Sequence, residues 1–176
     1  MDFFELIHAR RSVRAYSPQP VEEEKLQRIL LAANLAPSAG NLQAYEIYLV
    51  RERSVRVALA RAALEQWFIS EAPIALVFCA HPERSAAHYG RRGARLYALQ
   101  DATIACTFAM LAISALGLAT VWVGAFDDEG VRRAIRAPEG HQPVAILPVG
   151  YPAEQPRPTG RRSLDELVHE VGGGNN

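Results

Sequence analysis

The chain is short of the residues that make the commonest sites legible. Two cysteines, Cys79 and Cys106, are all it has. They stand in the apolar runs IALVFCA and DATIACTFAM without CxxC or metal-ligand spacing, and read as buried free thiols of a reducing cytoplasm. Neither sign of charge is in excess, since Lys plus Arg and Asp plus Glu number 19 each. Without a global field there is nothing to draw nucleic acid or an anionic membrane, so any basic function must be local. No GxSxG elbow, HExxH pair or close Cys–His or His–Asp–Ser grouping occurs, which removes the usual hydrolytic machinery. A GxGxxG after a strand and a Walker A sequence are also missing, so a phosphate would not be held in the Rossmann or P-loop manner. The histidines, His8, His81, His88, His141 and His169, are dispersed along the chain and read as surface residues, so no metal centre is expected. The opening MDFFELIHARR sets its basic residues after the apolar ones and offers no small-residue cleavage site, unlike a secretory signal.

What is present fits one domain. At 176 residues the chain is long enough for a single core, expected over residues 1–170, with the glycine-rich end, 171–176, a flexible tail. The uncharged run from Ala102 to Phe126 is long enough to cross a bilayer. It is rich in small residues, however, breaks at Gly117 and passes into TVWVGAF, so it is read as a buried helix over 94–116 followed by a core strand. Further helices are predicted over 2–10, 21–34, 54–66 and 131–136, with Ser54 as a cap, and strands over 45–50, 74–80 and 144–149. His81 to Gly93 is polar and basic, and is expected as a mobile loop or short helix that could act as a lid.

Two motifs carry chemistry. Arg10, Arg11, Ser12 and Arg14 gather three guanidiniums and a hydroxyl at the end of the first helix. Guanidinium forks stay charged and match phosphate oxygens bidentately, so this cluster is read as a local phosphate site. Pro37-Ser38-Ala39-Gly40-Asn41-Leu42-Gln43 follows a helix and offers a turn with polar side chains, where Gly40 permits close backbone approach.

These residues resemble the FMN-dependent nitroreductase family of flavin oxidoreductases. The likeness rests on Arg10-Arg11-Ser12-Val13-Arg14-Ala15-Tyr16, on Ala36-Pro37-Ser38-Ala39-Gly40-Asn41-Leu42-Gln43, on Gly117 to Phe126, on Leu147 to Pro152 and on Arg161-Arg162-Ser163-Leu164, in that order along nearly the whole chain. The resemblance implies an α+β, three-layer α/β/α fold with a central, mostly antiparallel sheet. It also implies an intertwined homodimer with one FMN in each of two interface pockets. Arg10, Arg11, Ser12 and Arg14 would then hold FMN phosphate and ribityl oxygens, with Arg161 or Arg162 closing the phosphate site. Pro37, Ser38 and Asn41 would approach the flavin from the partner subunit, Gly124 and Ala125 would offer backbone amides near N5 and O4, and Gln66 would reach the ring. The implied activity is an NAD(P)H oxidoreductase that reduces a nitroaromatic, quinone or similar small acceptor by ping-pong hydride transfer through flavin N5. Dehydrogenation, dehalogenation or flavin fragmentation on the same scaffold, or flavin binding without turnover, are the alternatives. No side chain is nominated as a catalytic acid or base, because solvent can supply the protons.

Overall fold

The computed structural model describes residues 2–172. Helix α1 (Phe3–Ala9) starts from a reciprocal cap. Asp2 accepts the Glu5 backbone N–H at 2.9 Å while Glu5 accepts that of Asp2 at 2.8 Å, which satisfies two of the donors a helix start leaves orphaned. At Arg10 the backbone leaves helical geometry, with φ −55° and ψ 134°. The arginine cluster therefore lies on extended chain just past the helix. Ser12 bridges Thr120 in parallel, and the Val13 N–H reaches the Thr120 carbonyl at 3.1 Å.

Three antiparallel strands, β1 (Tyr45–Val50), β2 (Ile74–Ala80) and β3 (Gln142–Val149), form a sheet in the order β1-β2-β3. The central strand is buried along its length, which explains why it reads as an unbroken apolar run rather than an alternating one. Its residues still divide by parity. Leu76, Phe78 and Ala80 join one core with Leu26 and Ile29 of α2 (Glu23–Asn34), and Ala75, Val77 and Cys79 join another on the opposite face. That second core takes Leu59 from α3 (Arg53–Ala62), Ile69 from α4 (Phe68–Glu71) and Val131 from α7 (Asp128–Ala134). Each large side chain fully removed from water in this way contributes about 1.5–3 kcal/mol. The result is the helix–sheet–helix layering expected of the α+β chain.

The uncharged run supplies the main core helix, α6 (Ala98–Ala115). Ala98, Ala102, Ala105, Ala109 and Ile113 are all buried against the sheet, their small side chains allowing close approach. Helix α5 (Pro82–Arg92) occupies the segment expected to be a lid. His81 caps it by accepting the Arg84 N–H at 3.1 Å, and Pro82 sits in its first turn. Its last turn bends at Gly90, φ 56°, before a π-helical turn, Gly93–Tyr97, leads into α6. Taken by length and composition alone, the combined stretch Pro82–Ala115 could cross a membrane, but it is sharply bent and packs on the sheet.

Several sequence expectations need correction. The predicted core strand over 120–126 is no strand, for only Ala119–Gly150 and Val123–Ile146 pair with the end of β3. Continuing that ladder would set Val121 opposite Pro148, which has no N–H to give. Helix α3 begins at Arg53 behind Glu52, without the Ser54 cap. It ends at Ala62 rather than Gln66 because Leu64 and Glu65 both adopt left-handed backbone, φ 57° and 60°. A short helix α8 (Leu164–Leu167) lies in an exposed C-terminal arm. Of the expected tail, residues 173–176 lie outside the described residues.

Candidate functional site

The extended chain after α1 and the proline-rich arm before α8 come together around a cavity of about 380 Å³. Arg10, Arg11, Ser12 and Arg14 line one side, and Pro156, Arg157, Pro158, Thr159 and Arg161 the other. Among the described residues no carboxylate pairs with any of these five guanidiniums. Arg11 donates to the carbonyls of His8 and Arg10, at 2.5 and 2.9 Å, and Arg161 to the side chain of Thr159 at 2.9 Å. Those bonds orient the forks without neutralising them. Five cations around a concavity with no acid among its lining residues make an arrangement suited to a multiply charged anion. Of the C-terminal pair, Arg161 lines the cavity, while Arg162 turns to Glu166 of α8, with Nε 3.6 Å from the carboxylate.

The cluster is held in place from behind. The Arg14 N–H donates to Glu154 at 2.5 Å, and the Tyr16 hydroxyl donates to the Val13 carbonyl at 2.7 Å. Burial drives the Tyr16 hydroxyl pKa well above its ordinary value, so the phenol stays neutral and keeps donating.

The Pro37–Gln43 turn lies beside a second concavity. About 580 Å³ in volume, it is lined by Pro37, Ser38 and Ala39 with Tyr97 from the π-helical turn and Leu99, Gln100, Asp101, Thr103 and Ile104 from the start of α6. Asp101 is buried and accepts the backbone N–H groups of Ala39 at 3.0 Å and Ala44 at 3.3 Å, clamping the turn from both ends. Ser38 Oγ accepts the Gln43 N–H at 3.0 Å, which leaves its hydroxyl proton free to donate elsewhere. Gly40, Asn41 and Gln43 all have left-handed backbone, and the Tyr89 hydroxyl of α5 fills the place a Cβ on Gly40 would take. Any other residue there would clash as well as strain.

A third group forms where α3 ends. Gln66 donates from Nε2 to the Ala63 carbonyl at 2.8 Å and to the Ala125 carbonyl at 3.2 Å. Gln66 and Ala125 are thus neighbours, and Gly124 beside them is exposed, its Cα packed so that a Cβ would lie 3.0 Å from Trp122 Nε1. The bridge at Ser12–Thr120 ties this group to the arginine cluster, since Gly124 is four residues past Thr120, a reach of at most about 14 Å from that residue.

Within one chain, then, Arg10, Arg11, Ser12, Arg14 and Arg161 share one cavity, Pro37 and Ser38 line another, and Gln66, Gly124 and Ala125 cluster separately. Asn41 lies in the turn but lines neither cavity, and Arg162 turns to Glu166. Sequence reasoning missed Arg157, because its flanking prolines signal an extended linker and give no hint that the linker folds back over α1. It also missed Asp101, a single acid in an apolar helix, whose oddness was the available clue. The histidines are less dispersed than their spacing suggests, since His81 and His141 meet at the end of the sheet, ring centroids 4.8 Å apart.

Fold and cavity together define a three-layer α+β protein with an arginine-lined cavity beside a short antiparallel sheet. The chain belongs to the nitroreductase family, whose model matches residues 7–88 and 68–151. It is 35% identical to a protein of Thermus thermophilus described as an NADH dehydrogenase, over 90% of this chain and 91% of that one. It is 28% identical to the FMN reductase [NAD(P)H] of Bacillus subtilis, over 91% of this chain and 70% of the relative. Among solved structures, the NADPH:FMN oxidoreductase of Vibrio harveyi complexed with NAD⁺ superposes with a TM-score of 0.88 at 27% identity, covering 98% of this chain and 78% of that one.

Proposed function

We propose that the chain is a homodimeric, cytoplasmic FMN-dependent NAD(P)H oxidoreductase, a single FMN-binding domain over residues 1–170 that reduces nitroaromatics, quinones or similar small acceptors. The observation that carries the reading is the cavity lined by five guanidiniums that pair with no carboxylate among the described residues, because a site so cationic needs a dianion and the phosphate of FMN supplies one. The donor set fits: planar forks from Arg10, Arg14 and Arg157 suit phosphate oxygens, and the Ser12 hydroxyl suits a phosphate or a polyol chain. When bound, FMN supplies hydride acceptance and release, chemistry that no side chain here can perform.

The chain's own part is to bind, orient and exclude. Arg10, Arg11, Ser12, Arg14 and Arg161 hold the anionic end. Gly124 and Ala125 present exposed backbone that can approach a planar ring closely, and Gln66 is fixed beside them through its bond to the Ala125 carbonyl. Pro37 and Ser38 line a concavity of their own, with Asn41 in the same turn, which suits service to a second copy's cofactor. Arg162, bound to α8, is left with a supporting role in keeping the arm folded.

A dimer is favoured by what one chain leaves uncovered. Phe4 is 75% exposed, Leu35 70% and Leu164 74%, and Leu99 and Phe108 on α6 are also exposed. These side chains on α1, α6, the end of α2 and the C-terminal arm are apolar surface that a second copy would cover. Two buried free thiols, Cys79 and Cys106, suit a reducing compartment.

The test is anaerobic stopped-flow spectroscopy of the purified flavoprotein. Mixing with NADH or NADPH is expected to bleach the flavin absorbance, and subsequent mixing with a nitroaromatic or quinone to restore it. A flavin that neither nicotinamide reduces would overturn the assigned activity.

A further inference from the structure

At the end of the sheet where β1 begins, β2 ends and β3 begins, Glu46, His81 and His141 converge. Strand parity brings them to one face. Glu46 and Tyr48 point to the same face of the sheet as Cys79 and His81, that of the second core, and the bulge between Phe78 and Cys79 resets β3 so that Gln142 pairs Ala80. His141 then falls opposite His81. One potential ligand atom from each of Glu46, His81 and His141 lies within 4.8 Å of the others, and all three residues are partly buried.

We propose that this cluster is a binding site for a divalent transition-metal cation of the zinc class, separate from the flavin site. Two imidazoles and one carboxylate are the ligand set such borderline ions prefer, and three protein ligands leave one position for water. Ligand bonds of about 2.1 Å hold tetrahedral donors about 3.4 Å apart, so the side chains need to close by little more than about 1 Å, within reach of small torsional changes. Outer partners already orient two of the three. Tyr48 Oη lies 2.5 Å from His141 Nδ1, leaving Nε2 for the ion, and Arg84 Nη2 lies 3.3 Å from Glu46 Oε1, leaving the second oxygen. Such partners fix ring and carboxylate orientation in metal sites generally. The adjoining concavity carries Glu83, Asp128 and Glu139 against Arg132 alone, an acidic approach for a cation.

One feature limits the affinity. His81 Nδ1 accepts the Arg84 N–H at 3.1 Å, so in the neutral ring the proton sits on Nε2. Ligation through Nε2 moves that proton to Nδ1 and releases the Arg84 N–H from its cap. The site is therefore expected to bind more weakly than closed four-ligand zinc sites. The buried thiols do not compete, since burial pushes Cys79 up to about 12 and Cys106 well above its ordinary value, and a metal binds thiolate.

The experiment is calorimetric titration of Zn²⁺ into the chelator-treated, untagged, full-length flavoprotein. One saturable site per chain is expected, with affinity at least tenfold weaker in His141→Ala and in Glu46→Gln and unchanged in His169→Ala. Paramagnetic broadening by Co²⁺ in the wild-type protein tests the same point without a substitution: loss of amide signals should centre on Glu46, His81 and His141. Absence of saturable binding, binding unaltered in both variants, or broadening centred on His8, His88 or His169 would overturn the assignment.

Discussion

Asp101, in the first turn of the core helix, accepts the backbone N–H of Ala39 at 3.0 Å from 62 residues away in sequence. That bond, with the one from Ala44, ties the Pro37–Gln43 turn to α6 and sets the shape of the concavity they share. Removing the carboxylate strands two donors in a largely dry place. Asp101→Ala is therefore expected to lose about 2–4 kcal/mol in urea unfolding, about 1–2 for each donor left unsatisfied. A loss below about 1 kcal/mol would mean that water or a neighbour replaces the carboxylate.

The C-terminal arm supplies a second prediction. Arg157 and Arg161 line the anion cavity while Arg162 bonds to α8. Arg157→Ala and Arg161→Ala should each weaken FMN binding by about 10- to 100-fold, the worth of a charge-assisted bond of roughly 1.5–3 kcal/mol. Arg162→Ala should change it less than about threefold, as befits an exposed pair. Equal losses for Arg161 and Arg162, measured by fluorescence titration, would contradict the division of labour between them.

Alkaline stability follows from burial. The Tyr16 phenol and the Cys79 thiol both have pKa values raised in the fold, first by desolvation, the thiol to about 12 from 9.0. A raised folded value means that the unfolded chain releases its proton first as pH climbs, so the stabilisation is complete below the unfolded values, 10.0 for the tyrosine and 9.0 for the thiol. It is then lost as pH rises through them toward the folded ones. Unfolding free energy should fall steadily above about pH 9. Tyr16→Phe, which cannot ionise, should show a shallower decline relative to its own value at neutral pH, and a slope unchanged from wild type would argue that Tyr16 plays no part.

Much of this architecture was legible. The Ile74–Ala80 run announced a buried strand because every residue in it is apolar, and the 2–10 segment announced a helix because its apolar and charged residues are patterned locally. Arg10, Arg11 and Arg14 announced a local cationic cluster because three neighbouring residues carry the charge. What stayed hidden depends on contacts distant in sequence. The 120–126 segment has strand composition, and only the proline opposite Val121 stops the ladder. Arg157 joins the cavity through a fold-back of the arm, and His81 meets His141 through a bulge in β2–β3 pairing. None of these leaves a mark in a local window.

The central claim is that the arginine cavity holds the phosphate of FMN. Titrating the apoprotein with FMN and with riboflavin, the same ring system without the phosphate, isolates that contact. Several guanidiniums on one dianion predict that FMN binds at least about 100-fold more tightly than riboflavin, given roughly 1.5–3 kcal/mol for each charged bond, and that the gap shrinks sharply in an Arg10→Ala, Arg14→Ala double variant. Equal affinity of the wild-type protein for the two flavins would contradict the account.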